Sequence, residues 1–185
     1  MSFPSKIQSL CQASLDESLP GGREQRNDDM LQVDIPGFKF LRLSHLVLDF
    51  NGTLACDGRL IEGVREKVLS LHEHFEIHVL TADTFGRVGA EIDGLGCILS
   101  VIPKRHEAEA KLQYIQRLGV EATVCIGNGR NDRLMLKAAA LGIVVLQAEG
   151  ASPEALFSAD AATTSIQDAL DLLQNPLRLS ATLRS

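Results

Sequence analysis

Short runs of branched apolar residues, separated by stretches of helical periodicity, constrain this chain more than any other feature. His45-Leu46-Val47-Leu48-Asp49, Ile77-His78-Val79-Leu80-Thr81, Thr123-Val124-Cys125-Ile126 and Ile143-Val144-Val145-Leu146 each have the length and composition of a buried strand. Between the first two, Val64, Val68, Leu71 and Phe75 fall at helical spacing, which predicts a helix from about Val64 to His74. Strands alternating with helices predict an α/β fold with a mostly parallel sheet and right-handed crossovers.

The ends of these runs carry the chemistry. The first stops at an acidic residue followed by a Gly-containing turn, Asp49-Phe50-Asn51-Gly52-Thr53-Leu54. Ligands of open α/β sheets collect at the C-terminal strand edge, so a carboxylate there is a candidate nucleophile or metal ligand. The second run ends in Thr81-Ala82. The third runs into Gly127-Asn128-Gly129-Arg130-Asn131-Asp132, ahead of a helix-like Leu134-Met135-Leu136-Lys137-Ala138-Ala139, and is itself preceded by Lys111-Leu112-Gln113-Tyr114-Ile115-Gln116-Arg117-Leu118.

In order and spacing, these stretches resemble the motifs of the haloacid dehalogenase superfamily, and most of all its soluble P-type-ATPase-like proteins. D-x-N-G-T-L is similar to the usual D-x-D-G-T-L, and the last motif to G-D-G-x-N-D-x-x-x-L. The resemblance covers roughly residues 45 to 145 and implies a three-layer Rossmann-like core. It implies Asp49 as nucleophile, Thr81 as hydrogen-bond donor to the transferring phosphoryl group, and Lys111 as a fixed cation neutralising phosphate and aspartate charge. Lys104 is the substitute if the alignment slips by two turns. It also implies that Asp49, Asn51 (through its main-chain carbonyl), Asn128 and Asp132 converge on Mg²⁺, a hard cation suited to oxygen ligands. Gly52, Thr53, Ala82 and Asn131 would line the substrate site. Plainer readings stand beside these, with Asp132 as a helix N-terminal charge and Lys111 on a solvated helix face.

Two positions depart from the superfamily pattern. Asn51 stands where its phosphatases carry Asp, and Asn128 where the last motif has Asp. An amide neither gives up a proton at neutral pH nor adds negative charge to a cation site. The expected activity is therefore a weakly turning-over, Mg²⁺-dependent phosphatase or ATPase-like hydrolase acting through an aspartyl phosphate. A regulatory phosphate- or metal-binding module that kept the fold is the alternative. The gaps between motifs leave no room for a cap domain, so the site should be open.

The formal charge of −6 argues against nucleic acid, which needs a basic face. No apolar run approaches the ~18 residues of a membrane span. Cys11, Cys56, Cys97 and Cys125 lack metal or disulfide spacing and read as reduced thiols of a cytoplasmic protein. The expected substrate is a phosphorylated small molecule or a phosphoprotein. His72-Glu73-His74 places its histidines on different helix faces, against a joint zinc site.

Residues 1–29, rich in polar residues and broken by Pro4, Pro20, Gly21 and Gly22, are expected to be a flexible leader, with Met30 as an alternative start. The domain is expected over residues 30–185. Leu31, Val33 and Ile35 alternate up to Pro36-Gly37, after which Phe38 and Phe40 resume, which predicts a β-hairpin with an apolar face. Asp57-Gly58 marks a turn in the flap that follows Asp49. Ser165 is a possible N-cap for a last periodic helix. The stripe of Leu177, Leu179 and Leu183 is expected to pack on the domain or to support a homo-oligomer.

Overall fold

The computed structural model describes residues 30–82 and 87–185 of the chain, so the expected leader lies outside the described residues. The chain opens with an antiparallel hairpin, β1 (Leu31–Ile35) and β2 (Lys39–Leu43). Leu31, Val33 and Ile35 are buried as their alternation predicts, but their partners on β2 are Leu41 and Leu43, and Phe40 is 54% exposed. The register explains the difference. Ile35 pairs with Lys39 across a three-residue loop, so Phe38 falls in the turn and Phe40 lies opposite Asp34 on the outer face.

β3 (His45–Asp49) follows, then a two-stranded flap of β4 (Ala55–Cys56) and β5 (Arg59–Leu60). Its turn holds Asp57 and Gly58 at positive φ. Helix α1 (Val64–Leu71) buries Val64, Val68 and Leu71. It ends sooner than its periodicity suggests, because Phe75 reaches the core from a turn in which its N–H bonds the Leu71 carbonyl. β6 (Glu76–Thr81), α2 (Arg87–Glu91) and β7 (Ile98–Val101) lead to α3 (Glu107–Leu118). Then come β8 (Thr123–Gly127), α4 (Arg133–Ala138), β9 (Leu141–Val145), α5 (Pro153–Leu156), β10 (Ala161–Thr163), α6 (Ile166–Gln174) and α7 (Pro176–Leu183).

The main sheet has six parallel strands in the order β10-β9-β8-β3-β6-β7. The strand that ends at Asp49 is central, between the strands that end at Thr81 and Gly127. Its Leu46, Val47 and Leu48 are wholly buried, as continuous apolar runs are when helices cover both faces. Leu46 and Leu48 join one apolar cluster with α1, α6 and the hairpin, while Val47 faces a second with Tyr114, Ile115, Met135 and Leu136. This is the three-layer α/β architecture the motif order implies, with the expected hairpin beside it. No cap domain occurs among the described residues.

Ser165 caps α6, its hydroxyl accepting the Asp168 N–H at 3.0 Å. The last apolar stripe divides on α7: Leu179 is buried, Leu183 packs on the core, and Leu177 is 87% exposed. Cys56, Cys97 and Cys125 are free thiols. No helix among the described residues is long and apolar enough to cross a membrane.

Candidate active site

β3 ends at Asp49 and the chain turns at once. The Thr53 and Ala55 amides both donate to the Phe50 carbonyl, at 3.2 and 2.9 Å, and the Gly52 amide to that of Ala55 at 2.8 Å. Gly52 has φ +75°, and a side chain there would strike the Asn128 amide. Gln147, just beyond β9, grips the same turn. Its Nε2 donates to the Gly52 and Thr53 carbonyls at 2.9 and 2.7 Å, while its Oε1 accepts the Ile166 N–H at 3.0 Å.

The neighbouring strand, β8, ends at Gly127, where a Cβ would sit 2.6 Å from the Asp132 carboxylate. Asp132 closes the loop beyond it. Oδ2 accepts the Asn128 and Gly129 amides at 3.0 and 2.8 Å, and Oδ1 accepts from Lys111 Nζ at 2.5 Å. Lys111, on the buried face of α3, also donates to Asp49 Oδ1 at 2.5 Å. One ammonium thus bridges two carboxylates, and neither Lys111 nor Asp132 has any exposed surface.

With both carboxylates ionised, this triad carries one surplus negative charge away from water. Desolvation, with the Asp132 charge second, outweighs the Lys111 ammonium and lifts the Asp49 pKa from 3.8 to about 7. Burial alone would lower the Lys111 pKa, but the two carboxylates hold it above the ordinary lysine value, so Lys111 stays charged. The surplus negative charge and the oxygen donors fit a hard divalent cation of the kind the motifs imply.

Above the triad lies a cleft of about 590 Å³, lined by Asp49, Asn51, Thr81, Ala82, Asn128 and Asn131 among others. The structure therefore brings these six together at the C-terminal sheet edge. Lys111 and Asp132 lie beneath its floor. Gly52 and Thr53 sit behind it, the Thr53 hydroxyl donating to Asn128 Oδ1 at 3.2 Å. Asn128 Nδ2 donates to the Gly150 carbonyl at 2.9 Å, so its amide braces the loop on both sides. Asn131 donates to Glu107 at 2.7 Å. Lys104 is exposed on the cleft wall, whereas Lys111 is the lysine that touches Asp49.

Arg87 and Glu107 on the cleft wall, and Gln147 behind the turn, were not anticipated. Gln147 lies 95 and 94 residues from the carbonyls it holds, beyond any local pattern. Glu107 sits in the first turn of α3, where an acidic residue is commonplace.

A parallel six-stranded sheet with Asp49 at the end of a central strand, Thr81 ending one neighbour and the Gly127–Asp132 loop ending the other, is the fold of the haloacid dehalogenase superfamily. Solved structures bear this out. A 3-deoxy-D-manno-octulosonate 8-phosphate phosphatase from Moraxella catarrhalis, in complex with magnesium, phosphate and the sugar acid, superposes with a TM-score of 0.56 at 18% identity, over 77% of this chain and 94% of that one. A cobalt-bound deoxy-D-mannose-octulosonate 8-phosphate phosphatase from Haemophilus influenzae gives 0.59 at 16% identity, over 77% and 90%. A zinc-transporting PIB-type ATPase gives 0.52 at 29% identity over 66% of this chain, which spans 20% of the pump. Within that fold, the chain belongs to a family shared with two uncharacterized proteins of Methanocaldococcus jannaschii. One is 46% identical over 82 residues, 42% of this chain and 88% of that protein; the other is 51% identical over 39 residues, 21% of this chain and 89% of that protein. No protein-family model matches the sequence.

Proposed function

We propose that the chain is a Mg²⁺-dependent phosphotransferase or phosphatase acting through an aspartyl phosphate, on a phosphorylated small molecule or a phosphoprotein. The contact between Lys111 and Asp49 carries this reading: an ammonium fixed against a strand-end carboxylate, next to an open cleft. A carboxylate oxygen of Asp49 attacks phosphorus in line, the bond to the leaving oxygen breaks, and that oxygen departs with the electron pair. Water then attacks phosphorus, the bond to Asp49 breaks, and inorganic phosphate leaves. Thr81 donates a hydrogen bond to the phosphoryl oxygens, and Lys111 offsets negative charge from below. Asp49, the main-chain carbonyl of Asn51 and the loop of Asn128 and Asp132 would hold Mg²⁺, which when bound neutralises phosphate charge. Asn131, Ala82, Gly52 and Thr53 shape the substrate side of the cleft.

The amide of Asn51 cannot protonate a leaving group or deprotonate water, help that is worth ~10²- to 10⁴-fold. Slow hydrolysis and a long-lived phosphoenzyme follow, best seen with acyl or activated aryl phosphates. A binding module without turnover is the second reading, favoured by the same two asparagines. Phosphoenzyme formation from acetyl phosphate separates the two. Wild-type protein should incorporate phosphate and Asp49→Asn should not. Asn51→Asp with Asn128→Asp should raise turnover and lower the Mg²⁺ requirement. Absence of any phosphoenzyme in the wild type, with Mg²⁺-dependent phosphate binding intact, would leave the binding module standing.

A further inference from the structure

At the opposite end of the strands that carry Asp49 and Thr81, three side chains converge. His45 opens β3 and Glu76 opens β6, and the parallel register sets His45 opposite Glu76 and Val47 opposite His78. Alternation along each strand puts His45, Glu76 and His78 on one face. Three of their atoms form a nearly equilateral triangle. His45 Nδ1 lies 3.3 Å from Glu76 Oε2, His78 Nε2 lies 3.3 Å from the same oxygen, and the two nitrogens are 3.4 Å apart.

That spacing is informative. A tetrahedral ion with bonds of ~2.0–2.1 Å to its ligands requires them ~3.3–3.4 Å from one another. The triangle is therefore the size of one face of a zinc coordination tetrahedron. We propose that His45, Glu76 and His78 form a second metal site, for a zinc-class divalent cation, with water in the fourth position. It is separate from the Asp49 cleft and does not depend on the activity proposed for it.

The surroundings support a built site. His78 Nδ1 lies 2.9 Å from the Tyr114 hydroxyl, which Ser100 Oγ approaches at 3.2 Å as donor. In the ligating tautomer Nδ1–H donates to Tyr114 and Nε2 is left free for the metal, the usual device for orienting a metal-bound imidazole. Burial lowers the pKa of both histidines, that of His78 to about 4, so both rings are in the neutral form that binds metals. Glu76 is 46% exposed, which gives the ion a route from solvent. Two imidazoles and a carboxylate suit zinc, copper or nickel better than magnesium or calcium. Bound there, the ion would tie together the N-terminal ends of β3 and β6.

Cobalt(II) provides the test. Full-length protein freed of metal should take up one Co²⁺ in the presence of excess Mg²⁺, develop the visible ligand-field bands of a four-coordinate site, and lose them when Zn²⁺ is added. Asp49→Asn should keep the bands. Glu76→Ala and His45→Ala, with folding confirmed by circular dichroism, should each lose them. Zn²⁺ should raise the melting temperature of the wild type and of Asp49→Asn, and leave Glu76→Ala unchanged. Absence of the bands in wild type, their survival in both edge variants, or their loss in Asp49→Asn would each overturn the proposal.

Discussion

The two ends of the strand pair β3 and β6 handle polar side chains in opposite ways. At the C-terminal end Asp49, Lys111 and Asp132 form a cluster of ionisable groups almost without solvent, and backbone amides of the Gly127 loop fix the Asp132 carboxylate. At the N-terminal end the buried groups are imidazoles that burial keeps neutral, and the one charged partner, Glu76, reaches water. The same sheet thus hosts a dry cluster of carboxylates around a lysine and a half-wet cluster of imidazoles beside a glutamate. Their difference is set by what surrounds each strand end: a helix bearing a lysine and a loop whose amides point at a carboxylate in one case, a tyrosine and solvent in the other. Burying charge needs partners in fixed directions, and loops at the C-terminal edge supply them.

Lys111→Met breaks this contrast most severely. It leaves two buried carboxylates facing each other, and removal of one partner from such a cluster costs about 3–5 kcal/mol. Urea denaturation should report a loss of that size, smaller at acidic pH, where Asp49 takes up a proton. The pH dependence of the wild type sharpens the same point. Because the folded-state pKa of Asp49 lies at about 7, above its ordinary 3.8, the native protein binds the extra proton. This group's contribution therefore makes stability fall as pH rises from about 4 to about 7, with a slope of at most ~1.4 kcal/mol per pH unit. Asp49→Asn should flatten that slope in a series of thermal melts, whereas an unchanged slope would contradict the assignment. Gly127→Ala places a Cβ 2.6 Å from the Asp132 carboxylate and must shift the loop. A destabilisation of about 1–3 kcal/mol is expected, together with weaker phosphate binding. At the other end Glu76→Gln should cost less than ~1 kcal/mol in metal-free protein, because the pair it removes is partly exposed. A loss as large as that of Lys111→Met would erase the distinction between the two ends.

How far the sequence foretells this arrangement depends on the range of each contact. The strand ends at Asp49, Thr81 and Gly127 were legible because composition and turn chemistry mark them locally. The superfamily pattern then singled out Lys111, which lies one turn inside a helix that begins at Glu107. The loop role of Asp132 follows from a spacing of three and four residues to the amides it accepts. Gln147 and Glu107 stayed hidden because their partners lie in other elements. The His45, Glu76 and His78 triangle was hidden for the same reason: it exists only once the register of β3 against β6 is fixed, and a register is not written in either strand alone. Phe40 shows a subtler limit. Alternation identified the hairpin, but the loop length decided which phase of β2 faces inward.

Gln147 couples distant parts of the backbone in a way that isotope exchange can follow. Ile166 is the first residue of α6, where an amide has no carbonyl of its own helix to bond, and its N–H is held by the Gln147 side chain. The other end of that side chain holds the carbonyls of the turn after Asp49. Deuterium uptake at Ile166 therefore requires Gln147 to let go, and with it one support of the turn. A ligand that steadies residues 50–55 would slow exchange at an amide on a separate helix, making Ile166 a remote gauge of how tightly that turn is closed.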